Sequence, residues 1–179
     1  MKQYLISLLT YFDPQVQNFF LTHRTSGLLN VALTLSFLGR FYTVMILAVF
    51  TILLFWQQQQ KIFIVPFFLT IGGSSLTSFC LKFLTQRVRP FGSGYNEPFP
   101  SFPSGHATIA IALGGFLVYY LAQTLSPSLF KTVILTCLIL LILGIGLSRL
   151  YLGVHYLSDV VVGYGIGGIW LLLGIYLSK

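Results

Sequence analysis

Acidic residues are nearly missing from this chain: Asp13, Glu97 and Asp159 are the only three in 179, and charged residues of both signs make up 7%. An ordinary soluble domain carries roughly 25%. So few charges leave too little polar surface to cover a water-soluble globule of this size. The two cysteines, Cys80 and Cys137, stand inside apolar runs without C-x-x-C spacing or a neighbouring histidine. That argues against a disulfide framework or a zinc site and reads as buried packing. There is no H-x-H, no H-E-x-x-H and no cluster of carboxylates, so the sequence offers no metal site and calls for no cofactor. The ten Lys and Arg give a net charge of +7, but they are not gathered into a solvated run, which argues against nucleic acid as a partner. No internal repeat is visible.

What the chain has in quantity is apolar residues, 56% of the total. A bilayer-spanning helix needs about 20 of them in succession. The expectation is an all-α, polytopic membrane helical bundle with five or six transmembrane helices, forming one membrane-embedded domain over residues 1–179. Residues 1–12 read as an interfacial segment, and Asp13-Pro14 as the opening of an amphipathic surface helix ending near His23-Arg24. Residues 25–56, interrupted at Gly39-Arg40, read either as one long tilted helix or as a short helix followed by a span. Clear spans follow over 62–84, 106–123, 130–147 and 156–177. The small residues Gly72 to Ser75, and Gly163 with Gly167, mark places where helices approach closely. Residues 90–103, with five prolines and glycines among Pro90, Gly92, Gly94, Pro98 and Pro100 before Pro103, cannot be a continuous helix and form a structured loop.

Charge suggests the orientation. Lys61, Lys131 and Lys179 fall at turns or ends that alternate onto one side, taken as cytoplasmic. The 90–103 loop and the connection between Arg149 and His155 then face outside.

Three clusters share that outer side. Lys82 and Arg89 are seven residues apart, two helical turns, and so share one helix face, with Arg89 before Pro90 marking the helix end. Pro103-Ser104-Gly105-His106 opens an apolar helix, where free backbone N–H groups and the helix dipole favour an anion and where His106 falls in the first turn. Arg149 follows Ser148, and His155 and Asp159 are spaced i, i+4, so the carboxylate can hold one imidazole nitrogen and leave the other free. Ionisable groups in membrane segments are functional by default. Together the clusters read as a phosphate site: Lys82, Arg89, Arg149 and the helix start hold phosphoryl oxygens, and no metal is required. His155, oriented by Asp159, is the candidate nucleophile, and His106 the acid that protonates the leaving oxygen.

The pattern Lys82-x6-Arg89-Pro90, Pro103-Ser104-Gly105-His106 and Ser148-Arg149-x5-His155-x3-Asp159 resembles the three-part signature of the type 2 phosphatidic acid phosphatase superfamily, with every signature position filled between residues 82 and 159. The resemblance implies a six-helix membrane phosphatase with a phosphohistidine intermediate, independent of Mg²⁺. It implies His155 as nucleophile, Asp159 as its partner, His106 as acid, and Lys82, Arg89, Ser104, Gly105 and Arg149 as phosphate ligands. It departs from the family where a full first span usually precedes the Asp-containing amphipathic segment, so the sequence leaves open five or six spans and the side of the N-terminus.

The expected function is a multi-pass cell-membrane phosphatase acting on an anionic phospholipid or polyprenyl phosphate or diphosphate in the bilayer, with its active site outside the cytoplasm. A lipid-linked phosphotransferase of the same superfamily fits the same chemistry. A non-enzymatic anion transporter would need its ionisable groups near the bilayer midplane, whereas these cluster at helix ends. The aromatics Phe91, Tyr95, Phe99 and Phe102 are expected to frame a lateral opening in the interface or to plug the bundle.

Overall fold

Apolar runs bounded by Gly, Pro and short polar turns become helices throughout the residues that the computed structural model describes, 2–91 and 97–179, with side chains from Tyr11 onward. In chain order these are α1 (Lys2–Thr22), α2 (Ser26–Leu38), α3 (Phe41–Gln57), α4 (Ile64–Thr85), α5 (Gly105–Ile109), α6 (Gly115–Thr124), α7 (Leu129–Tyr151) and α8 (Leu157–Leu177). A 3₁₀ turn, Lys61–Phe63, leads into α4, and a π-helical turn, Ala110–Gly114, joins α5 to α6. Among the described residues, four helical segments are long and apolar enough to cross a bilayer: Lys61–Thr85, Gly105–Thr124, Leu129–Tyr151 and Leu157–Leu177. The pair α2 and α3, bent by 51°, makes a fifth if counted as one span. The molecule is an all-α polytopic membrane bundle, and its outer surface carries the large apolar side chains that lipid requires, among them Phe50, Leu84, Leu140 and Leu172.

Several expectations change. The first helix does not open at Asp13-Pro14; it runs from Lys2 through Pro14 to Thr22. Asp13 is not free to cap it, because its carboxylate is drawn into the bundle by Ser158 and Arg87. Of the two alternatives for residues 25–56, the chain takes a short helix and then a longer one, breaking at Gly39-Arg40. Lys82 and Arg89 do not share a helix face. Gln86 adopts a left-handed conformation (φ 49°) and stops α4 at Thr85, so Arg89 reaches the site from the loop. Cys80 and Cys137 are exposed, not buried; in a membrane bundle an apolar run faces lipid as readily as core.

Close approach is found at Gly73, Gly163 and Gly167, though not at Gly72, which has open space beside it. A Cβ on Gly73 would come within 2.3 Å of the Trp170 ring, one on Gly163 within 2.7 Å of the Ser104 carbonyl oxygen, and one on Gly167 within 2.3 Å of the Thr108 carbonyl oxygen. α8 therefore lies against both α4 and the start of α5. At the end carrying Gln57–Lys61 and the α6–α7 turn, Phe55, Phe63, Phe67, Phe116 and Tyr120 form an aromatic core. The opposite end gathers the C-termini of α4 and α7, the N-termini of α5 and α8, and the loop after α4.

Candidate active site

The 97–103 loop is folded down onto the bundle by the basic residues around it. Lys82, in the last turn of α4, donates from Nζ to the carbonyls of Pro100 (2.8 Å) and Pro103 (2.7 Å). Arg89 donates from Nε to the Phe99 carbonyl (2.9 Å) and from Nη1 to the Val154 carbonyl (2.7 Å). These carbonyls neutralise part of two cations that would otherwise be desolvated alone, and they fix both side chains beside His155.

His155 lies just before α8, not on it: Tyr156 is the N-cap and Asp159 sits in the first turn, accepting from the Tyr156 amide at 2.9 Å. Imidazole Nδ1 faces Asp159 Oδ2 at 3.4 Å, while Nε2 faces Arg89 Nη1 at 3.3 Å. The carboxylate faces Nδ1 without a hydrogen bond, and among the described residues that nitrogen is buried without a partner, so the expected hold of Asp159 on the ring is a close contact and not a hydrogen bond, while the other nitrogen faces the cations. Burial first, then the positive charges of Arg149, Arg89 and Lys82, hold its pKa well below 6.5. An uncharged imidazole at neutral pH keeps the lone pair a nucleophile needs.

Ser104 is the N-cap of α5, and its amide donates to the Asp159 carbonyl (2.9 Å). That bond, with the Gly163 and Gly167 contacts, sets the Ser104–Gly105–His106 turn against the start of α8. Among the described residues, the Ser104 hydroxyl and His106 Nε2 are buried and have no hydrogen-bond partner. Arg149, buried in the last turn of α7, donates from Nη1 to the Ser36 hydroxyl on α2 and from Nη2 to Glu97 Oε1 (2.6 Å). Its Nε is also unpartnered. Polar atoms left unsatisfied in a buried site are costly unless a ligand completes them. His106, Arg149, Glu97 and Arg40 line one cavity of about 440 Å³ that opens at the α2–α3 elbow.

All eight sequence-derived residues therefore converge. Four others were not assigned to the site: Asp13, Ser158, Glu97 and Arg87, the last noticed only as a basic residue at the end of an apolar run. Arg87 bridges two buried carboxylates, Asp159 Oδ1 (2.6 Å) and Asp13 Oδ2 (2.7 Å), and its guanidinium stacks over the Tyr156 ring at 4.2 Å. Asp13 also accepts from the Ser158 amide (2.8 Å) and hydroxyl (2.6 Å). The signal was present in the sequence: with only three acids in an apolar chain, each has to find a cation. Among the described residues no group of three His, Cys, Asp or Glu side chains could hold a metal ion. Phe91 and Phe99 are exposed at the loop surface and Phe102 is half-buried, whereas Tyr95, Gly92 and Gly94 lie outside the described residues.

A membrane bundle that gathers two histidines, a carboxylate and three cations at one end belongs to a known class. The PAP2 superfamily model matches residues 63–179, and the chain belongs to that superfamily. It is 36% identical over 102 residues to phosphatidylglycerophosphatase B of Bacillus subtilis, covering 55% of this chain and 50% of that one. It is 33% identical over 117 residues to a lipid A 1-phosphatase of Rhizobium etli, covering 59% and 46%. The chain spans about half the length of the curated relatives it matches. Among solved structures, the transmembrane PAP2 type phosphatidylglycerolphosphate phosphatase of B. subtilis superposes with a TM-score of 0.82 at 27% identity, over 95% of this chain and 84% of that one. Aquifex aeolicus LpxE superposes with a TM-score of 0.67 at 24% identity, over 93% and 94%, a likeness of fold.

Proposed function

We propose that residues 1–179 act as one membrane-embedded lipid phosphatase, hydrolysing a phosphomonoester or diphosphate through a phosphohistidine without a metal ion. The observation that carries this reading is the placement of His155, with Nδ1 toward Asp159 and Nε2 toward Arg89, beside Lys82 and Arg149. In this mechanism Nε2 donates its lone pair to phosphorus as the P–O bond to the leaving group breaks. The bonding pair stays on the leaving oxygen, which takes a proton from His106. Lys82, Arg89, Arg149 and the Ser104-Gly105 turn stabilise the charge spreading over the phosphoryl oxygens. Water, giving its proton to His106, then attacks the phosphohistidine and releases inorganic phosphate. The family and the names of its relatives support a lipid phosphate as substrate.

We place the site at the extracytoplasmic face. Lys61, Lys131 and Lys179, none of them in the proposed phosphate site, stand at turns or ends on the opposite side of the bundle, and such lysines are favoured on the cytoplasmic side.

The test is phosphate release by the detergent-solubilised protein from phosphatidylglycerophosphate, phosphatidate, a prenyl diphosphate and lipid A, with EDTA present. Turnover that persists in EDTA, is inhibited by vanadate and is abolished in His155→Ala is expected. Activity lost in EDTA and restored by Mg²⁺ would refute the metal-free mechanism. Phosphate appearing on a second lipid instead of in water would identify a phosphotransferase.

A further inference from the structure

The cavity beside His106 holds a cation that the phosphate site does not need. Arg40 lies at the elbow between α2 and α3 and lines that cavity with Arg149, Glu97 and His106. The elbow is docked on the proposed acid: a Cβ on Gly39 would come within 2.5 Å of the His106 ring. Arg40, one residue further, is therefore held on the side of the phosphate site that His106 occupies. No carboxylate is paired with it, although Glu97 lines the same cavity. The three acids of the chain are committed elsewhere, Asp13 and Asp159 to Arg87 and Glu97 to Arg149. Its guanidinium lies over the Phe37 ring, 5.7 Å from the centroid. Arg40 is exposed where it lines the cavity, and among the described residues its guanidinium has neither an acid nor a carbonyl as partner, which leaves its planar fork open to an anion.

Resting on the lipid-phosphatase reading, we infer that Arg40 binds an anionic phosphate in the leaving group, so that the chain prefers substrates whose departing fragment is itself charged. The direction follows from the mechanism. His155 attacks from one side, and the oxygen that departs does so toward His106, where Arg40 stands. When a lipid diphosphate reacts, the terminal phosphoryl passes to His155, the bridging P–O bond breaks, and the bridging oxygen leaves on a lipid monophosphate after taking the His106 proton. When phosphatidylglycerophosphate reacts, the departing alcohol carries a phosphodiester. In both, a phosphate of the leaving group comes within reach of the elbow. The leaving groups of phosphatidate and of a prenyl monophosphate are neutral alcohols and offer Arg40 nothing. The shared chemistry is one phosphate oxyanion beyond the scissile bond.

Two substrate pairs with matched tails test this: farnesyl diphosphate against farnesyl monophosphate, and phosphatidylglycerophosphate against phosphatidate, each as kcat/KM in detergent. Arg40→Gln is expected to lower kcat/KM on the charged-leaving-group member by about 10- to 100-fold, the worth of a charged hydrogen bond, and far less on its partner. Arg40→Lys should recover part of the loss. The ratio within a pair does not depend on how much of a preparation is folded. Loss of discrimination confined to one pair supports the inference and says whether the second phosphate is bridging or a phosphodiester. Equal losses on both members of both pairs would overturn it. Release of phosphate from none of the four by the wild-type protein would overturn the phosphatase reading, and this inference with it.

Discussion

His155 is buried among cations, and the consequence is a particular pH dependence. The folded protein holds its pKa well below 6.5, so the nitrogen proposed to attack stays unprotonated where a free histidine would titrate. We expect the acid limb of kcat/KM, which reports the free enzyme, to fall below pH 6.5. Arg89→Ala should move that limb upward by removing a nearby positive charge, and a limb that stays put would remove Arg89 from the electrostatics of the nucleophile. The same shift links to stability. In the window below 6.5 the unfolded chain binds the proton that the folded one refuses, so this contribution is complete above pH 6.5 and is lost as pH falls. Arg149 gives a second expectation. Its two Nη groups serve different directions, Ser36 and Glu97, a geometry that a single ammonium cannot reproduce. Arg149→Lys should therefore lose about 10²-fold in kcat despite keeping its charge; near-wild-type turnover would show that charge alone matters there.

At the level of helices, two devices hold the site. The first is the glycine seam of α8. Gly167→Ala would force a Cβ to 2.3 Å from the Thr108 carbonyl oxygen, whereas Gly165→Ala meets nothing within 4 Å. Overpacking at the first should destabilise by about 1–3 kcal/mol, and the second should stabilise slightly through helix propensity. Thermal unfolding in detergent should show opposite signs; equal effects would mean that α8 does not seat the Ser104–His106 turn. The second device is the tether of α1. Asp13 is buried and serves Arg87 and Ser158 at once. Asp13→Ala, which strands those groups, should cost roughly 3–5 kcal/mol. Asp13→Asn keeps an acceptor for the Ser158 amide and should be milder. A neutral Asp13→Ala would mean that α1 is not anchored through this residue.

At the scale of the whole molecule, the site sits at helix ends but within reach of lipid tails. Below the elbow an apolar hollow of about 270 Å³ is lined by Leu38, Val44, Ile109, Leu138 and Ile142, next to the charged cavity that Arg40 and His106 share. A phosphate head in one and a chain in the other is the arrangement that a lateral opening would serve. Burial at about 0.8 kcal/mol per CH₂ predicts kcat/KM rising about fourfold for each methylene that enters the hollow, and levelling once it is full. A chain-length series on one headgroup, below micelle concentrations, measures this. A flat series would point to a soluble substrate.

The sequence by itself determined the membrane environment and marked the residues proposed to react. Apolar runs of span length have no alternative to helices in lipid, because every backbone N–H and C=O must be satisfied within the segment. Lys82, Arg89, Ser104, His106, Arg149, His155 and Asp159 stood out because polar residues at the ends of such runs are too costly to be incidental. Tertiary structure decided the rest. The i, i+4 rule paired His155 with Asp159, yet it did not show that the helix starts after His155. Nor could local spacing show that Gln86 would end α4 early, bringing Arg89 in from a loop. Asp13 read as a helix opener because Asp-Pro is a local signal; its partners lie 74 and 145 residues away. Arg40 and Glu97 carried no motif, and only the packing of the elbow on His106 and of the loop on Arg149 brought them to one cavity. Pairing among so few charges is a long-range energy, set by which helix ends meet, and local pattern does not contain it.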